Sequence, residues 1–226
     1  MTFRLYCFAV LLLFWSIVGV LTATEKASII KQITWELNSL SDVGGHPTQV
    51  LGTPRVIQKL EERGVQFDGQ RDGLIVDVNP LAETEQFSLE VVFRPDAGGS
   101  KEQRFVHIQE KGSENRILIE TRLTEDKHWF LDTFIRSGET DQTLYAEPFL
   151  HPTGEWFHAA LVFDGRQMKH YVNGTQEMAA SIRYQPLGAG QTSLGVRLNR
   201  VFWFKGTIRK VRFTNNALDP SSFLKP

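Results

Sequence analysis

The stretch that decides the fold of this chain is HAALVFDGRQMKHYVNG, residues 158–174. An apolar run ends at Asp164-Gly165, and a second run of alternating large side chains ends at Asn173-Gly174. Asp-Gly and Asn-Gly pairs accept the positive φ angles that tight hairpin turns require. The stretch therefore predicts two antiparallel neighbouring strands. Alternation turns Ala159, Leu161 and Phe163 of the first strand toward a core.

The rest of the chain from Thr24 onward repeats this pattern. A dozen short segments with a period of two are separated by turns rich in Gly, Pro, Asn and Asp, which is typical of two packed antiparallel sheets or a barrel. One segment, residues 56–64, has helical spacing after Pro54 or is a short connector. No fixed repeat or second block of composition occurs, so the sequence predicts a single domain over residues 24–226.

The bulk composition allows one globular core and argues against a nucleic-acid partner. The 226 residues are 41% hydrophobic and 23% charged, which is enough apolar material for a two-layer core. Lys plus Arg number 25 against 26 Asp plus Glu, giving a net charge of −1. Without a basic excess or a basic run there is no electrostatic footprint for binding phosphates.

The first 23 residues differ from the rest, because one positive charge is followed by a continuous apolar run that ends at small residues. This pattern predicts an export signal, and the length of the run leaves an uncleaved membrane anchor as the alternative. Cys7, the only cysteine, lies in this segment, so the mature domain would have no disulfide or thiolate site. We expect a secreted, periplasmic or cell-surface protein that contacts a membrane only through residues 1–23.

Four motifs together carry a family resemblance. They are GVQFDGQRDGL (64–74), FSLEVVFRPD (87–96), GEWFHAALVFDGRQMKHYVNG (154–174) and WFKGTIRKVRFTNNALDP (203–220). Their order resembles the laminin-G-like, concanavalin-A-like jelly roll over about residues 33–224. The resemblance implies an all-β fold, a two-sheet antiparallel jelly-roll sandwich. It also implies a curved face of the kind used by lectins, adhesive modules, glycosidases and polysaccharide lyases. The resemblance does not decide among these functions.

A ligand groove is predicted where strands carry polar side chains on both faces. In RILIETRL (116–123) alternation places Arg116, Glu120 and Arg122 on one face, where three charges with one Leu are not expected to meet a core. Neighbouring strands add the remaining ligand-binding candidates, Asp132, Arg136, Arg197 and Asn199. Such arginines favour an anionic glycan, a uronate or a sulfated polysaccharide. The alternative is an ordinary solvated sheet face with cross-strand pairs.

An enzymatic interpretation uses the same groove. His107 would serve as base or acid and Tyr171 as proton donor, with Gln109 and an arginine neutralising a carboxylate, as β-elimination by a lyase requires. In RFVHIQE (104–110) alternation predicts Phe105, His107 and Gln109 opposite Val106 and Ile108. Glu120 is the acidic candidate. The segment only loosely resembles the Gln-Ile-His strand of jelly-roll lyases, and the Glu-x-Asp-x-Glu run of the related glucanases does not occur.

Two further predictions concern calcium and the aromatic residues. The resemblance implies that Ca²⁺ is a possible cofactor, and Asp68 and Asp72 are hard-oxygen candidates, although Asp-Gly is also ordinary turn chemistry. Trp129, Trp203 and Phe202 are candidate sugar platforms, whereas the competing interpretation places three tryptophans in the core, Trp35, Trp129 and Trp156.

The combined prediction is an exported carbohydrate-binding or adhesion module whose partner is an extracellular glycan or a surface protein. The alternative is a polysaccharide lyase or glycoside hydrolase acting in the groove, and a third class is a structural surface module without a sugar ligand.

Overall fold

The computed structural model describes residues 30–59 and 62–226, which form a sandwich of two antiparallel sheets. The predicted export segment, residues 1–23, lies outside the described residues. In the described part, no helix is long and apolar enough to span a bilayer. One 3₁₀ turn, Pro220–Ser222, follows the last strand.

The first sheet has eight strands, and its order begins at the hairpin that the sequence predicts. The order is β15 (Thr175–Ser181), β14 (Gln167–Val172), β13 (Phe157–Phe163), β7 (Phe87–Pro95), β17 (Lys205–Thr214), β5 (Gly64–Asp68) and β4 (Arg55–Ile57), with β1 (Gln32–Glu36) also paired to β17. Ala159 lies opposite Val172 and Phe163 opposite Met168, so the predicted antiparallel pairing is confirmed.

The second sheet has nine strands. Its order is β11 (Thr140–Tyr145), β10 (His128–Ser137), β9 (Arg116–Leu123), β8 (Glu102–Glu110), β16 (Gly190–Leu194), β6 (Gly73–Val76), β3 (His46–Leu51) and β2 (Asp42–Val43), with β12 (His151–Pro152) paired to β10. Neighbours that are far apart in sequence, such as β8 and β16, give the crossed connectivity of a jelly roll. The predicted fold class is confirmed.

The core between the sheets contains the inward residues that alternation predicts. Ala159, Leu161 and Phe163 are fully buried there, as are Trp35 and Trp129. Trp156 differs, because it precedes β13 on the outward side and is only half-buried. The guanidinium carbon of Arg209 lies 4.0 Å from the centre of its ring. The prediction that Trp156 fills the core is therefore wrong.

A β-bulge in β8 changes one predicted side-chain direction. The register with β9 shifts between Arg104 and Val106, so Phe105 is the extra residue. Phe105 is buried, and its ring stacks on Phe93 of the opposite sheet with the centroids 4.4 Å apart. The prediction of Phe105 on the outer face is wrong, because strict alternation cannot anticipate a bulge.

The segment with helical spacing is not a helix in its described part. Arg55–Ile57 form strand β4, which pairs with β5. Of the residues between β4 and β5, 58–59 and 62–63 are described, and none of them is helical. The connector interpretation is the better one.

The C-terminal segment, residues 215–224, covers the outer face of the first sheet. The N–H of Leu218 donates to Oγ of Ser88, and the N–H of Leu224 donates to Oε1 of Glu90. The ring of Phe223 packs edge-on against Tyr171. This segment therefore closes the outer side of β7, β13 and β14.

Candidate functional site

The candidate site is the side of the second sheet that points away from the core, named here the outer face. Cross-strand pairing places Gln109 beside Arg116 and Arg116 beside Arg136. The same registers pair Glu120 with Asp132. Paired residues share a face, so β8, β9 and β10 bring most predicted site residues together. The predicted site residues on this face are His107, Gln109, Arg116, Glu120, Arg122, Asp132 and Arg136.

One end of the outer face, the cationic end, is defined by Arg116, Arg136 and Arg197. Arg116 forms an ion pair of 3.3 Å with Glu114, and its guanidinium carbon lies 4.7 Å from the centre of the Phe134 ring. Among the described residues, no carboxylate lies within 4 Å of the side-chain nitrogens of Arg136 or Arg197. Asp141 lies opposite Arg136 across β10 and β11, and its charge opposes the lowering of the pKa of Arg116. Two carboxylates, Glu114 and Asp141, therefore partly compensate the three arginines.

The pKa values of two groups are lowered by the positive charge at this end. The pKa of Arg116 is lowered by burial and then by the charge of Arg197. The pKa of His107 is lowered to about 3, first by burial and then by the charges of Arg197 and Arg116. His107 is therefore neutral at physiological pH, because its protonated form would be both desolvated and repelled.

His107 also anchors the loop that follows β16. Its Nδ1 accepts a hydrogen bond of 3.0 Å from the N–H of Leu198, so the neutral ring carries its proton on Nε2. Arg197 and Asn199 flank Leu198 on this loop. The loop thus brings both predicted residues to the cationic end.

A pocket of about 530 Å³ adjoins the cationic end. Its lining includes Gln109, Gln191 and Asn199 and the β8–β9 turn, which carries Glu110, Lys111 and Glu114. The side chain of Gln109 donates to the carbonyl of Ser113 at 2.8 Å, so this turn is held in place. Amides and guanidinium groups together can bind carboxylate, sulfate or hydroxyl oxygens.

The centre of the outer face is a network of two arginines and three carboxylates. Arg122 contacts Asp132 at 2.7 Å and Glu102 at 2.7 Å. Arg104 contacts Glu102 at 2.9 Å and Glu120 at 2.9 Å. The guanidinium carbon of Arg104 also lies 3.7 Å from the centre of the Phe202 ring. These contacts occupy the arginines, so the predicted ligand-binding residues Glu120, Arg122 and Asp132 mainly bind one another.

The two buried carboxylates of this network titrate abnormally. Burial, and then the neighbouring charge of Asp132, raises the pKa of Glu120 to about 7. Burial also raises the pKa of Asp132, although Arg122 opposes the shift. Like charges in one desolvated site disfavour double ionisation. The net charge at the centre therefore changes near neutral pH.

The opposite end of the outer face, the aromatic end, consists of Phe130 and Tyr145. Tyr145 pairs with Asp132 across β10 and β11, so its ring shares the outer face. The ring centroids of Phe130 and Tyr145 lie 4.8 Å apart in an edge-on arrangement, and the side chain of Tyr145 is 38% exposed. The sequence reasoning missed Tyr145. The alternating residues of QTLYA held a signal for it, but the pairing of β11 with β10 was needed to place it.

The aromatic residues that the sequence proposed as sugar platforms are buried or half-buried. Trp129 is fully buried, and its indole N–H donates to the carbonyl of Pro152. Trp203 and Phe202 are half-buried in the loop after β16, where Phe202 packs on Arg104. Trp129 is therefore not a platform.

Tyr171 lies apart from the other catalytic candidates. It belongs to β14 of the first sheet and packs beneath Phe223 on the outer side of that sheet. Its hydroxyl donates to Oε1 of Gln176 at 3.2 Å. His107 and Gln109 lie on the opposite side of the sandwich, so Tyr171 cannot share a substrate with them in this fold.

Asp68 and Asp72 organise the turn between β5 and β6. Oδ1 of Asp68 accepts hydrogen bonds from the N–H groups of residues 70–72, and Asp72 accepts from the N–H groups of Thr53 and Asp68. Within the described part of the chain, no group of three or more His, Cys, Asp or Glu side chains is arranged to hold a metal ion. Both carboxylates accept backbone hydrogen bonds that hold this turn. Binding of Ca²⁺ by Asp68 and Asp72 stays a prediction.

The comparisons with known proteins establish the family. A laminin G family model, described as the concanavalin A-like lectin/glucanases superfamily, matches residues 68–222, which is more than half of the chain. The chain belongs to this superfamily, and the predicted resemblance is confirmed. No curated protein matches the chain.

Solved structures show the same fold at low identity. Domain 4 of an extracellular family GH43 arabinanase from Geobacillus stearothermophilus, in complex with arabinotriose, matches with a TM-score of 0.64 and 20% identity, covering 85% of this chain and 96% of that domain. A heptameric SAP-like pentraxin from Limulus polyphemus matches with a TM-score of 0.58 and 14% identity, covering 73% and 81%. The similarity supports the fold alone.

A bacterial toxin domain gives a third match. The binding domain of botulinum neurotoxin DC, in complex with SialylT, has a TM-score of 0.61 and 14% identity. The match covers 84% of this chain, which spans about half of the toxin domain at 49%. Similar folds thus occur in proteins solved with sugar ligands.

Proposed function

We propose that this chain is an exported carbohydrate-binding module whose cationic end binds an acidic group of an extracellular glycan. The observation that carries the proposal is the grouping of Arg116 and Arg136 of the sheet with Arg197 of the loop after β16, three arginines beside two carboxylates, Glu114 and Asp141. An anion placed there would relieve the repulsion among the guanidinium groups.

The adjoining pocket gives the proposal its chemical detail. Three amide residues line it, Gln109, Gln191 and Asn199, and could exchange hydrogen bonds with sugar hydroxyls. The arginines lie outside the lining of this pocket, at the adjoining cationic end, where they would supply charge for a uronate or sulfate group. The arabinotriose complex of the arabinanase domain is consistent with sugar binding on this fold. Export rests on the apolar segment, residues 1–23, and places the module outside the cell, in the periplasm or on the surface.

The test is a binding panel of hyaluronan, polygalacturonate, heparin and neutral arabinan, measured by calorimetry with the domain of residues 24–226. We expect binding to at least one acidic polymer and weaker binding as salt is added, because exposed charges are screened. Arg136→Ala should weaken this binding about tenfold, equivalent to about 1.4 kcal/mol.

Arg166→Ala is the matched control, since Arg166 is exposed on the β13–β14 turn of the first sheet. It should leave binding unchanged. Equal effects of the two variants would mean that net charge alone attracts the polymer. Absence of binding to every polymer in the panel would overturn the proposal.

The alternative function is a lyase or hydrolase in the same groove. One observation favours it: Glu120, with a pKa raised to about 7, lies opposite Asp132, which is the kind of carboxylate pair that acid–base catalysis uses. The ion pairs with Arg104 and Arg122 and the burial of both carboxylates oppose it. Ultraviolet detection of unsaturated products and a reducing-end assay on the same panel would reveal turnover, which Glu120→Gln should abolish.

A surface protein is the other partner class. The domain can be coupled to a sensor surface and saturated with the acidic polymer before a protein ligand is passed over it. Weaker binding of the protein ligand to the saturated domain would show that the two compete for the cationic end. A surface protein that binds Arg136→Ala and the wild-type domain equally would use a different face.

A further inference from the structure

The aromatic end of the outer face opens into a pocket of about 510 Å³. Phe130 and Leu123 are buried along its floor, and the exposed ring of Tyr145 forms one wall. Tyr145 is 38% exposed, and its ring packs edge-on against Phe130, which restricts the orientation of an apolar surface at this pocket. A restricted orientation lowers the entropic cost of binding a flat ligand.

The walls of this pocket are held by the backbone. The N–H of Leu123 donates to the carbonyl of Lys101 at 2.8 Å. The N–H and hydroxyl of Thr153 both donate to the carbonyl of Lys127 at 3.0 Å. The pocket is therefore formed before any ligand arrives.

The charges around the pocket sum to zero. Lys101 and Lys127 are offset by Glu125 and Glu147, and all four side chains are exposed. None of the four forms an ion pair within 4 Å with another described residue. They remain available to donate to or accept from hydroxyl groups, and the balance favours a neutral ligand over an ion.

Among the described residues, exposed large apolar side chains cluster in sequence around Tyr145, which lines this pocket. Six large apolar side chains are exposed, and three of them lie within residues 145–150, namely Tyr145, Phe149 and Leu150. Concentrated exposure of this kind marks a contact surface more often than scattered single residues do.

The aromatic end and the cationic end lie on one continuous face. Strand β9 carries Arg116 at one end and Arg122, whose guanidinium carbon is 5.6 Å from the centre of the Tyr145 ring, at the other. The two arginines are six positions apart, a span of about 20 Å at about 3.3 Å per residue. A chain of several sugars would reach from one end to the other.

We propose that Tyr145, supported by the buried Phe130, forms a second subsite that stacks on the apolar face of a neutral sugar ring in the same glycan. This inference rests on the proposed function. It makes the site a two-point binder, in which the arginines hold an acidic sugar and Tyr145 holds a neutral one further along the chain.

The test uses size-graded hyaluronan oligosaccharides of two, four, six and eight sugars, in which acidic and neutral rings alternate. Wild-type affinity should rise steeply once the chain is long enough to touch both ends. Tyr145→Ala should remove that gain, about tenfold for the longest chain, and should leave the affinity for the disaccharide unchanged. Tyr145→Phe keeps the ring and should retain the gain.

The outcomes separate the two proposals. Arg136→Ala should weaken binding at every length, whereas Tyr145→Ala should act only on long chains. Binding that depends on Arg136 but is equal in wild type and Tyr145→Ala at all lengths overturns the second subsite alone. If hyaluronan does not bind but another acidic polymer of the panel does, oligosaccharides of that polymer replace it, and equal affinities of wild type and Tyr145→Ala at every length overturn the second subsite alone. Absence of binding to the whole panel overturns the subsite together with the module. A thermal melt of each variant checks that the exposed substitution leaves the fold intact.

Discussion

The outer faces of the two sheets both carry buried or half-buried charges, but the charges are compensated very differently. On the first sheet, Glu90 accepts hydrogen bonds from His158, Arg212 and the N–H of Leu224, beneath the C-terminal segment. On the second sheet, Arg136 and Arg197 have no such partner within 4 Å among the described residues.

The difference teaches how to separate a structural polar cluster from a binding surface. Burial alone would raise the pKa of Glu90, yet the bonds from His158 and Arg212 lower it overall. The pKa of Arg116, in contrast, is lowered by burial and by other arginines, so its charged form is disfavoured where it lies. A satisfied cluster stabilises the fold, while an unsatisfied one gains free energy by binding an opposite charge.

The largest expected effect comes from breaking the satisfied cluster. Glu90→Ala leaves Arg212 buried without its carboxylate and frees the N–H of Leu224. We expect a loss of about 3–5 kcal/mol in the free energy of unfolding, measured by urea denaturation at neutral pH. Glu114→Ala is the control, because its side chain is 73% exposed and its loss should cost less than about 0.5 kcal/mol. Equal costs would remove the distinction between the two faces.

A smaller effect is expected from the central network of the second sheet, and it depends on pH. The folded pKa of Glu120 is raised from 4.5 to about 7, so the folded state holds this proton more tightly than the unfolded chain. Its contribution is fully present below pH 4.5 and is lost as the pH rises through 7. Relative to wild type, Glu120→Gln should therefore gain up to about 3 kcal/mol in unfolding free energy between pH 4.5 and pH 8.

Glu102→Gln is the control of opposite sign. Although burial alone would raise its pKa, hydrogen bonds and charges from Arg104 and Arg122 lower the pKa of Glu102 overall. Its stabilisation is present above its unfolded pKa and is lost on acidification. A Glu120→Gln variant whose stability tracks wild type across the whole pH range would contradict the raised pKa.

The smallest effect is expected at the cationic end. Arg136→Ala should change the free energy of unfolding by less than about 0.5 kcal/mol, since it removes a charge that has no ion pair to lose. Arg212→Ala, the matched change on the first sheet, should cost about 3 kcal/mol, because Glu90 would be left buried with fewer partners. Thermal denaturation of both variants measures the contrast. A large loss in Arg136→Ala would mean that this arginine is structural.

Most of the fold could be predicted from the sequence, because alternation and turn chemistry are local. Ala159, Leu161 and Phe163 are buried as their spacing indicates, and Asn173-Gly174 closes the next hairpin. Phe105 and Trp156 escaped the rule. Phe105 is the extra residue of a β-bulge, and no sequence pattern indicates where a bulge occurs. Trp156 precedes the first residue of β13, so alternation along the strand does not predict which way its side chain points.

The site was less predictable, since it depends on which strands become neighbours. Arg116, Arg136 and Gln109 come together through the β8–β9 and β9–β10 hairpins, which join consecutive strands, so alternation alone grouped them correctly. Tyr171 was assigned to the same groove and lies on the other sheet, because no local pattern states which sheet a strand joins. The ion pairs of Arg122 and Glu120 could likewise not be predicted, because they depend on distances between side chains that a sequence does not contain.

The bond from Leu224 to Glu90 joins residues 134 positions apart and sets a condition on biosynthesis. At translation rates of about 5–20 residues per second, the carboxylate leaves the ribosome roughly ten seconds before its last partner. For most of that time the nascent chain also lacks β17, the neighbour of β7, and with it Arg212, so Glu90 gains Arg212 and Leu224 as partners only near the end of synthesis of this segment. A chain released after Thr214 would lack the N–H of Leu224 as a donor to Glu90 and the ring of Phe223 over Tyr171.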